Sequence, residues 1–226
     1  MIHRYVAVDS TQTVARTLFD EGRARYGDIV VAQTQTAGRG RRGRTWQSPP
    51  GGLYATWILW NDPMISVRAG TALVRAISGS GCAVGLKWPN DVLAGEKKIA
   101  GLLVEAVDGA AFIGVGVNVD SVPLAQATSM ALEGATATID TLIEAIGREL
   151  NAVRSDAEWL SAYREVLETL GRCVRIQQEG GRDVAGIALD VDALGHLMVD
   201  TGETVARIAA GACVHLGPAD PASKRR

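Results

Sequence analysis

Two apolar runs in the middle of the chain constrain its fold most. KKIAGLLVEAV (97–107) and AFIGVGVNV, which starts at Ala111, both read as strands, with Asp108-Gly109 as the turn between them. A chain committed to this pairing builds a sheet. YVAV (5–8), IVVA (29–32), LYATWILW (53–60) and VGLKW (84–88), the last stopped by Pro89, supply further strands. Helices fall between and after them. Val14, Ala15, Leu18 and Phe19 share one helical face behind a cap at Ser10 or Thr11, with Gly22 near the end. Residues 66–79 place Val67, Ala69, Leu73, Val74 and Ile77 as a helix does. Ile139, Leu142, Ile143, Ile146, Leu150 and Val153 form an apolar stripe. Ser155 with Glu158 reads as a capping box for one more helix. The buried face of that helix is Trp159, Leu160, Tyr163, Val166, Leu167 and Leu170, and Gly171 is its stop.

The character changes at Gly171. CVRIQ, VAGIALDV, LMVD, TVARIA and CVHL are short strands separated by turns, which predicts a compact all-β unit, a small barrel. It is small enough to need packing against the rest of the chain. The expected organisation is an α+β domain over 1–170, a small β-barrel domain over 171–217 and a frayed tail over 218–226.

A length of 226 residues and a hydrophobic share of 47% suit one sizeable core. Cys82, Cys173 and Cys213 are odd in number, widely spaced and outside any Cys-x-x-Cys pattern, so they read as free thiols in a reducing cytosol. His3, His196 and His215 stand alone and suggest no metal site. No apolar run reaches membrane-spanning length, and the first residues lack a signal-peptide core. A cytoplasmic protein is expected.

Residues 38–44 read GRGRRGR. This stretch has no apolar face, and its glycines make it costly to order. Its four arginines suit either a nucleic-acid backbone or a small phosphate-bearing ligand. The net charge of −2 favours the compact anion, because the positive charge is local.

Three more stretches lie where strands meet loops: KWPND (87–91), EKKIAG (96–101) and GVGVN (114–118). Each also has a plain reading. Lys97 and Lys98 can be solvated turn charges. Gly114 and Gly116 can be packing glycines or bulge sites. GVGVN lacks the third glycine and following helix of a dinucleotide site. Trp46 and Trp88 can be core aromatics, though Trp46 beside the arginines also suits stacking on a ring.

GRGRRGRTWQSP, KWPNDVL, KKIAGLLVE and GVGVN, in this order, closely resemble the biotin protein ligase family over nearly the whole chain, from about Asp9 to Leu216. The resemblance implies a core like that of class II aminoacyl-tRNA synthetases with a small SH3-like barrel. It also implies a reaction. Biotin and Mg-ATP would give biotinyl-5′-AMP, and biotin would then pass to one lysine of a biotin carboxyl carrier protein or domain.

By motif, Ser10, Thr11 and Gln35 would bond the biotin head group. Gly38, Arg39 and Arg41 would cover its carboxylate and the phosphate. Lys98 would contact both carboxylate and α-phosphate, making Lys98 and Arg41 the candidate catalytic pair. Gly101, Gly114 and Gly116 would let ligand lie close to the sheet. Arg42, Arg44, Trp46 and Asn118 would line the adenylate side. Lys87, Asn90 and Asp91 would lie near the nucleotide, with Asp91 a candidate for Mg2+ otherwise held by ATP phosphates. Many members carry Asp-Ser-Thr-Asn where this chain has DSTQ, so Gln12 is one methylene longer than the residue it replaces.

The larger members add an N-terminal helix-turn-helix. With the catalytic motifs starting within ten residues, no sequence-specific DNA binding and no repressor role are expected, in a monomer or homodimer. Two other functions compete: a lipoate or octanoate ligase with a similar core, and an RNA-binding module using the arginine loop. A purely structural β scaffold leaves the four motifs without a purpose.

Overall fold

A seven-stranded mixed sheet forms the body of the computed structural model, which describes residues 1–155 and 158–218. Its strands are β1 (Ile2–Val8), β2 (Ile29–Gln35), β3 (Gly52–Trp60), β4 (Gly85–Lys87), β5 (Asp91–Ala94), β6 (Lys97–Val107) and β7 (Ala110–Asn118). They lie in the order β1-β2-β3-β7-β6-β5-β4. β1 and β2 are parallel and joined through helix α1 (Thr11–Asp20); the other neighbours are antiparallel. β6 and β7 turn at Asp108 (φ 49°) and Gly109 (φ 81°), the left-handed pair that a two-residue hairpin loop demands.

Strand alternation divides the sheet into two unlike faces. Ile113 and Val117 of β7 join Trp57 and Leu102 under helices α2 (Ile65–Ser78) and α3 (Ile139–Ser155). Each such fully buried side chain contributes roughly 1.5–3 kcal/mol. Ala110 and Phe112 face the other way and pack with Ala15 and Leu18 of α1. That ten-residue helix covers only the end of its face nearest the β6–β7 turn. The glycine-rich end, at Gly101, Gly114 and Gly116, is left to the loop between β2 and β3. Ser10 starts α1 as expected: its backbone is extended and its hydroxyl accepts from Gln12 N–H at 3.3 Å.

Helix α4 (Trp159–Val166) is shorter than its apolar spacing predicts. Leu170 is not on it and Gly171 is not its stop. The chain leaves the helix to pair with the sheet edge: Leu167 bridges Leu86 of β4, and Glu168 N–H donates to Leu86 O at 2.9 Å. Tertiary pairing here overrides helical periodicity. The Ser155 side chain lies outside the described residues, and with it the expected capping box. Strand β5 is an element that the sequence reading left unassigned.

The remaining strands are β8 (Arg172–Gln177), β9 (Val184–Val191), β10 (Leu197–Asp200), β11 (Val205–Ile208) and β12 (Ala212–Pro218). They form an antiparallel sheet in the order β11-β10-β9-β8-β12. Among the described residues β11 and β12 do not pair, so the expected barrel is open along one side. Val174, Ile176, Ala188 and Leu197 belong to the same buried cluster as the main core. The three cysteines are free thiols, with Cys82 and Cys213 buried, in line with the small-apolar reading. No helix among the described residues is long and apolar enough to cross a membrane.

Candidate active site

The end of the sheet that α1 leaves uncovered holds a cavity of about 430 Å³, within the range of small-ligand sites. Glycines clear its floor. Gly101 and Gly116 are directly paired across β6 and β7, and Gly114 lies two residues along. Lys98 reaches the same face through an irregularity. Val92 pairs with Ala100 but Leu93 pairs with Lys98, so Ile99 is the extra residue of a β-bulge. Strict alternation would put Lys98 and Gly101 on opposite faces. With the bulge, Lys98 Nζ would lie 3.2 Å from a Cβ added at Gly101. Lys98 Nζ is held by Asp91 Oδ1 at 2.6 Å and stands 5.0 Å from the centre of the Trp46 ring.

The arginine loop closes over this floor. It makes a short 3-10 turn at Arg41–Gly43, with Arg42 (φ 58°) and Gly43 (φ 69°) left-handed. Three of its cations already have protein partners. Arg39 forms a two-pronged pair with Glu105 of β6, at 2.7 and 3.2 Å. Arg41 donates to Asn90 Oδ1 at 3.2 Å, and Arg42 donates to Gln177 O of β8 at 2.9 Å. Two strands and the turn before β5 thus supply partners for these charges. Arg41 is partly buried, and burial lowers its pKa while the Asp91 carboxylate acts against that shift. Arg44 lines the cavity, and its guanidinium has no partner among the described residues.

Two glycines of the floor are covered rather than open. The Trp46 indole lies on Gly116, where an added Cβ would be 2.7 Å from Cζ2. Its Nε1 is buried without a partner among the described residues. Gln12 lies on Gly114, with Oε1 2.6 Å from an added Cβ. The space directly over these two glycines is thus filled by two of the chain's own side chains.

The structure gathers most of the residues singled out from the sequence. Ser10, Thr11, Gln35, Arg39, Arg41, Arg42, Arg44, Trp46, Asn90, Asp91, Lys98, Gly101, Gly114, Gly116 and Asn118 all line the one cavity, as does Gln12. Asn118 is buried and its amide donates to Thr128 O at 2.9 Å. Two residues do not line it. Gly38 packs the arms of the loop together, its carbonyl accepting from Trp46 N–H at 2.9 Å. Lys87 faces the seam between the sheets, where its charge acts on Cys213, His215 and Glu96. Trp88 is both core and cavity wall: it lines the cavity at 2% exposure, and its indole N–H donates to Gly195 O.

Other lining residues carry no signal in the sequence. Leu124, Gln126 and Ala127 come from the segment after β7, and Ala212 and Cys213 from the small sheet. They reach the site only through tertiary packing. Among the described residues no three His, Cys, Asp or Glu side chains cluster to hold a metal ion. Asp91, the one carboxylate among the lining residues, is engaged by Lys98.

Comparison with known proteins agrees with this architecture. Residues 5–120 match the model of the biotin/lipoate A/B protein ligase family. The chain is 35% identical over 213 residues to the biotin–[acetyl-CoA-carboxylase] ligase of Mycobacterium tuberculosis, covering 84% of this chain and 79% of that protein. The biotin protein ligase of Aquifex aeolicus in complex with biotin and ATP superposes with a TM-score of 0.79 at 27% identity, over 94% of this chain and 97% of the other. The Leishmania major biotin protein ligase bound to biotinyl-5-AMP gives 0.67 at 29% identity, over 92% and 98%. With its arginine loop, bulged lysine strand and glycine floor assembled around one cavity, the chain belongs to the biotin/lipoate A/B protein ligase family, and within it to the biotin protein ligases.

Proposed function

We propose that this cavity carries out both steps of biotin ligation. In the first step a biotin carboxylate oxygen attacks the α-phosphorus of ATP. The bond from that phosphorus to the bridging oxygen breaks, and pyrophosphate leaves. In the second step the amine of a carrier lysine attacks the acyl carbon, loses a proton and releases AMP. The observation that carries this reading is the convergence of Lys98, Arg41 and Arg44 on one cavity floored by glycines.

Two anions meet in the first step, and charge then builds on phosphoryl oxygens. Fixed cations aimed at that point supply most of the help, with little demand for an acid–base pair. Lys98 suits this role because Asp91 and the bulge fix its ammonium. Arg41, already partly desolvated, gains more from an anionic ligand than an exposed arginine does. Arg44, Trp46, Asn90 and Asn118 are assigned to the nucleotide side. Ser10, Thr11 and Gln35 are assigned to the head group. Arg39 and Arg42 are assigned to anchoring the loop on β6 and β8, since their guanidinium groups are held there. Mg2+ would arrive with the ATP phosphates, because the described side chains form no metal cluster.

A lipoate-type ligase is the alternative within the same family and is not favoured by the relatives found. The acceptor is proposed to be the carrier domain of a biotin-dependent carboxylase. Incubation with biotin, ATP and such a domain, read by intact mass and peptide mapping, tests the whole sequence of steps. One biotin on one carrier lysine is expected; a carrier that stays unmodified contradicts the reading.

A further inference from the structure

The head-group end of the cavity contains a buried polar network in which one hydroxyl faces two acceptors. Thr56 of β3 is fully buried, and its hydroxyl lies 2.9 Å from Thr11 Oγ1 and 3.1 Å from Gln12 Oε1. It has one proton for two acceptors. Thr11 Oγ1 gives its own proton to Gln35 Oε1 at 3.2 Å, and Thr11 N–H donates to the same oxygen at 2.8 Å. Gln35 Nε2 then donates to Ser48 Oγ at 2.8 Å.

Gln12 is the fixed point of this network. Its Nε2 donates to Phe112 O at 2.9 Å and, more weakly, to Leu103 O at 3.5 Å. Both carbonyls are acceptors only, so the amide nitrogen must face them and Oε1 must face Thr56. The side chain is 3% exposed yet lines the cavity, and its amide lies across Gly114. Glutamine is long enough to span from α1 to the carbonyl on β7. An asparagine at this position falls one methylene short. It loses the bond to Phe112 and uncovers the glycine.

We propose that Gln12 is the back wall of the head-group pocket, locked by Thr56 and the Phe112 carbonyl, and that it sets the largest ring the enzyme accepts. Where many relatives carry asparagine, this chain has a shallower pocket. The inference rests on the head-group assignment made under the proposed function. It makes Gln12 a specificity determinant and Thr56 a positioning residue that acts through it.

The test uses the full chain and four proteins: the parent, Gln12→Asn, Thr56→Val and Thr56→Ser. Binding of biotin is compared with that of three analogues, each one heavy atom larger in the head group: the two ureido N-methyl derivatives and the sulfoxide. Isothermal titration gives affinities, and ATP–pyrophosphate exchange gives kcat and KM. In Gln12→Asn the preference for biotin over at least one analogue is expected to fall about tenfold or more, the scale set by one methylene in a pocket. The change is expected in KM more than kcat. Thr56→Val releases the amide and moves the preference the same way, while Thr56→Ser keeps the hydroxyl and the parental preference. A Gln12→Asn protein that folds but keeps the parental preference against all three analogues overturns the proposal. So does a Thr56→Val protein that folds and discriminates as the parent does. If the parent itself shows no biotin-driven exchange, it is the function that fails, and the two failures are distinguishable.

Discussion

Lys98 and Gly101 share a face because Ile99 is bulged out of register, so the placement of the proposed catalytic cation depends on one extra residue in β6. Replacing Lys98 with Ala removes a half-exposed side chain at a strand end and is expected to leave the fold intact. Adenylate formation should fall about a hundredfold or more, the usual loss when one preorganised charge is removed. Pyrophosphate exchange near the parental rate contradicts the assignment. Gly116 makes a different claim. A methyl there enters the space of the Trp46 indole. The loop gives more readily than a central strand, so Gly116→Ala is expected to displace Trp46. The melting temperature should change little, while trypsin cleaves residues 39–44 faster. A large drop in melting temperature with unchanged cleavage contradicts this.

The arginine loop is the element on which turnover depends. Its arms are pinned by Glu105, Asn90 and Gln177 O, and Arg44 remains without a side-chain partner among the described residues. In the free protein, limited trypsin is expected to cut first within 39–44. Biotin should protect partly and biotinyl-AMP more, because the adenylate adds a phosphate for Arg44 and Arg41. An adenylate that protects no better than ATP alone contradicts a loop closing over the intermediate. The loop's position was legible from its glycines and arginines, but its partners were not, since Glu105 and Gln177 are far away in sequence. The same division holds for other elements. β6 and β7 were legible because alternation and the Asp108-Gly109 turn agree. β5 was missed because four residues between turn signals carry too little pattern. The end of α4 was misplaced because pairing with Leu86 is invisible to periodicity. Lys87 was assigned to the site from its motif; it shares a face with Asp91, Gly101 and Gly116 but stands on the edge strand β4, outside the cavity lining.

At the scale of the whole molecule, that seam joins the two sheets. His215 of β12 meets Thr169 Oγ1 at 3.0 Å, and Thr169 Oγ1 accepts from Trp88 N–H at 2.9 Å, next to the turn that presents Asn90 and Asp91. Burial, with Lys87 and Arg172 nearby, pushes the His215 pKa from the ordinary 6.5 down to about 4, and Glu96 acts the other way. The unfolded chain therefore takes up this proton first as pH falls. The contribution is full above about 6.5 and is lost progressively towards about 4. Glu168, raised by burial, has the opposite sign and offsets part of the loss. His215→Gln is expected to reduce the drop in melting temperature between about pH 7 and pH 5; an undiminished drop contradicts the assignment of the titration to the seam. The glycine-floored cavity is proposed to join biotin to AMP. ATP–pyrophosphate exchange by the purified chain, with biotin or lipoate as the only carboxylic acid, tests it most directly. Exchange is expected to require biotin, to be unsupported by lipoate and to be lost in Lys98→Ala. Exchange driven by lipoate, or none with biotin, would contradict it.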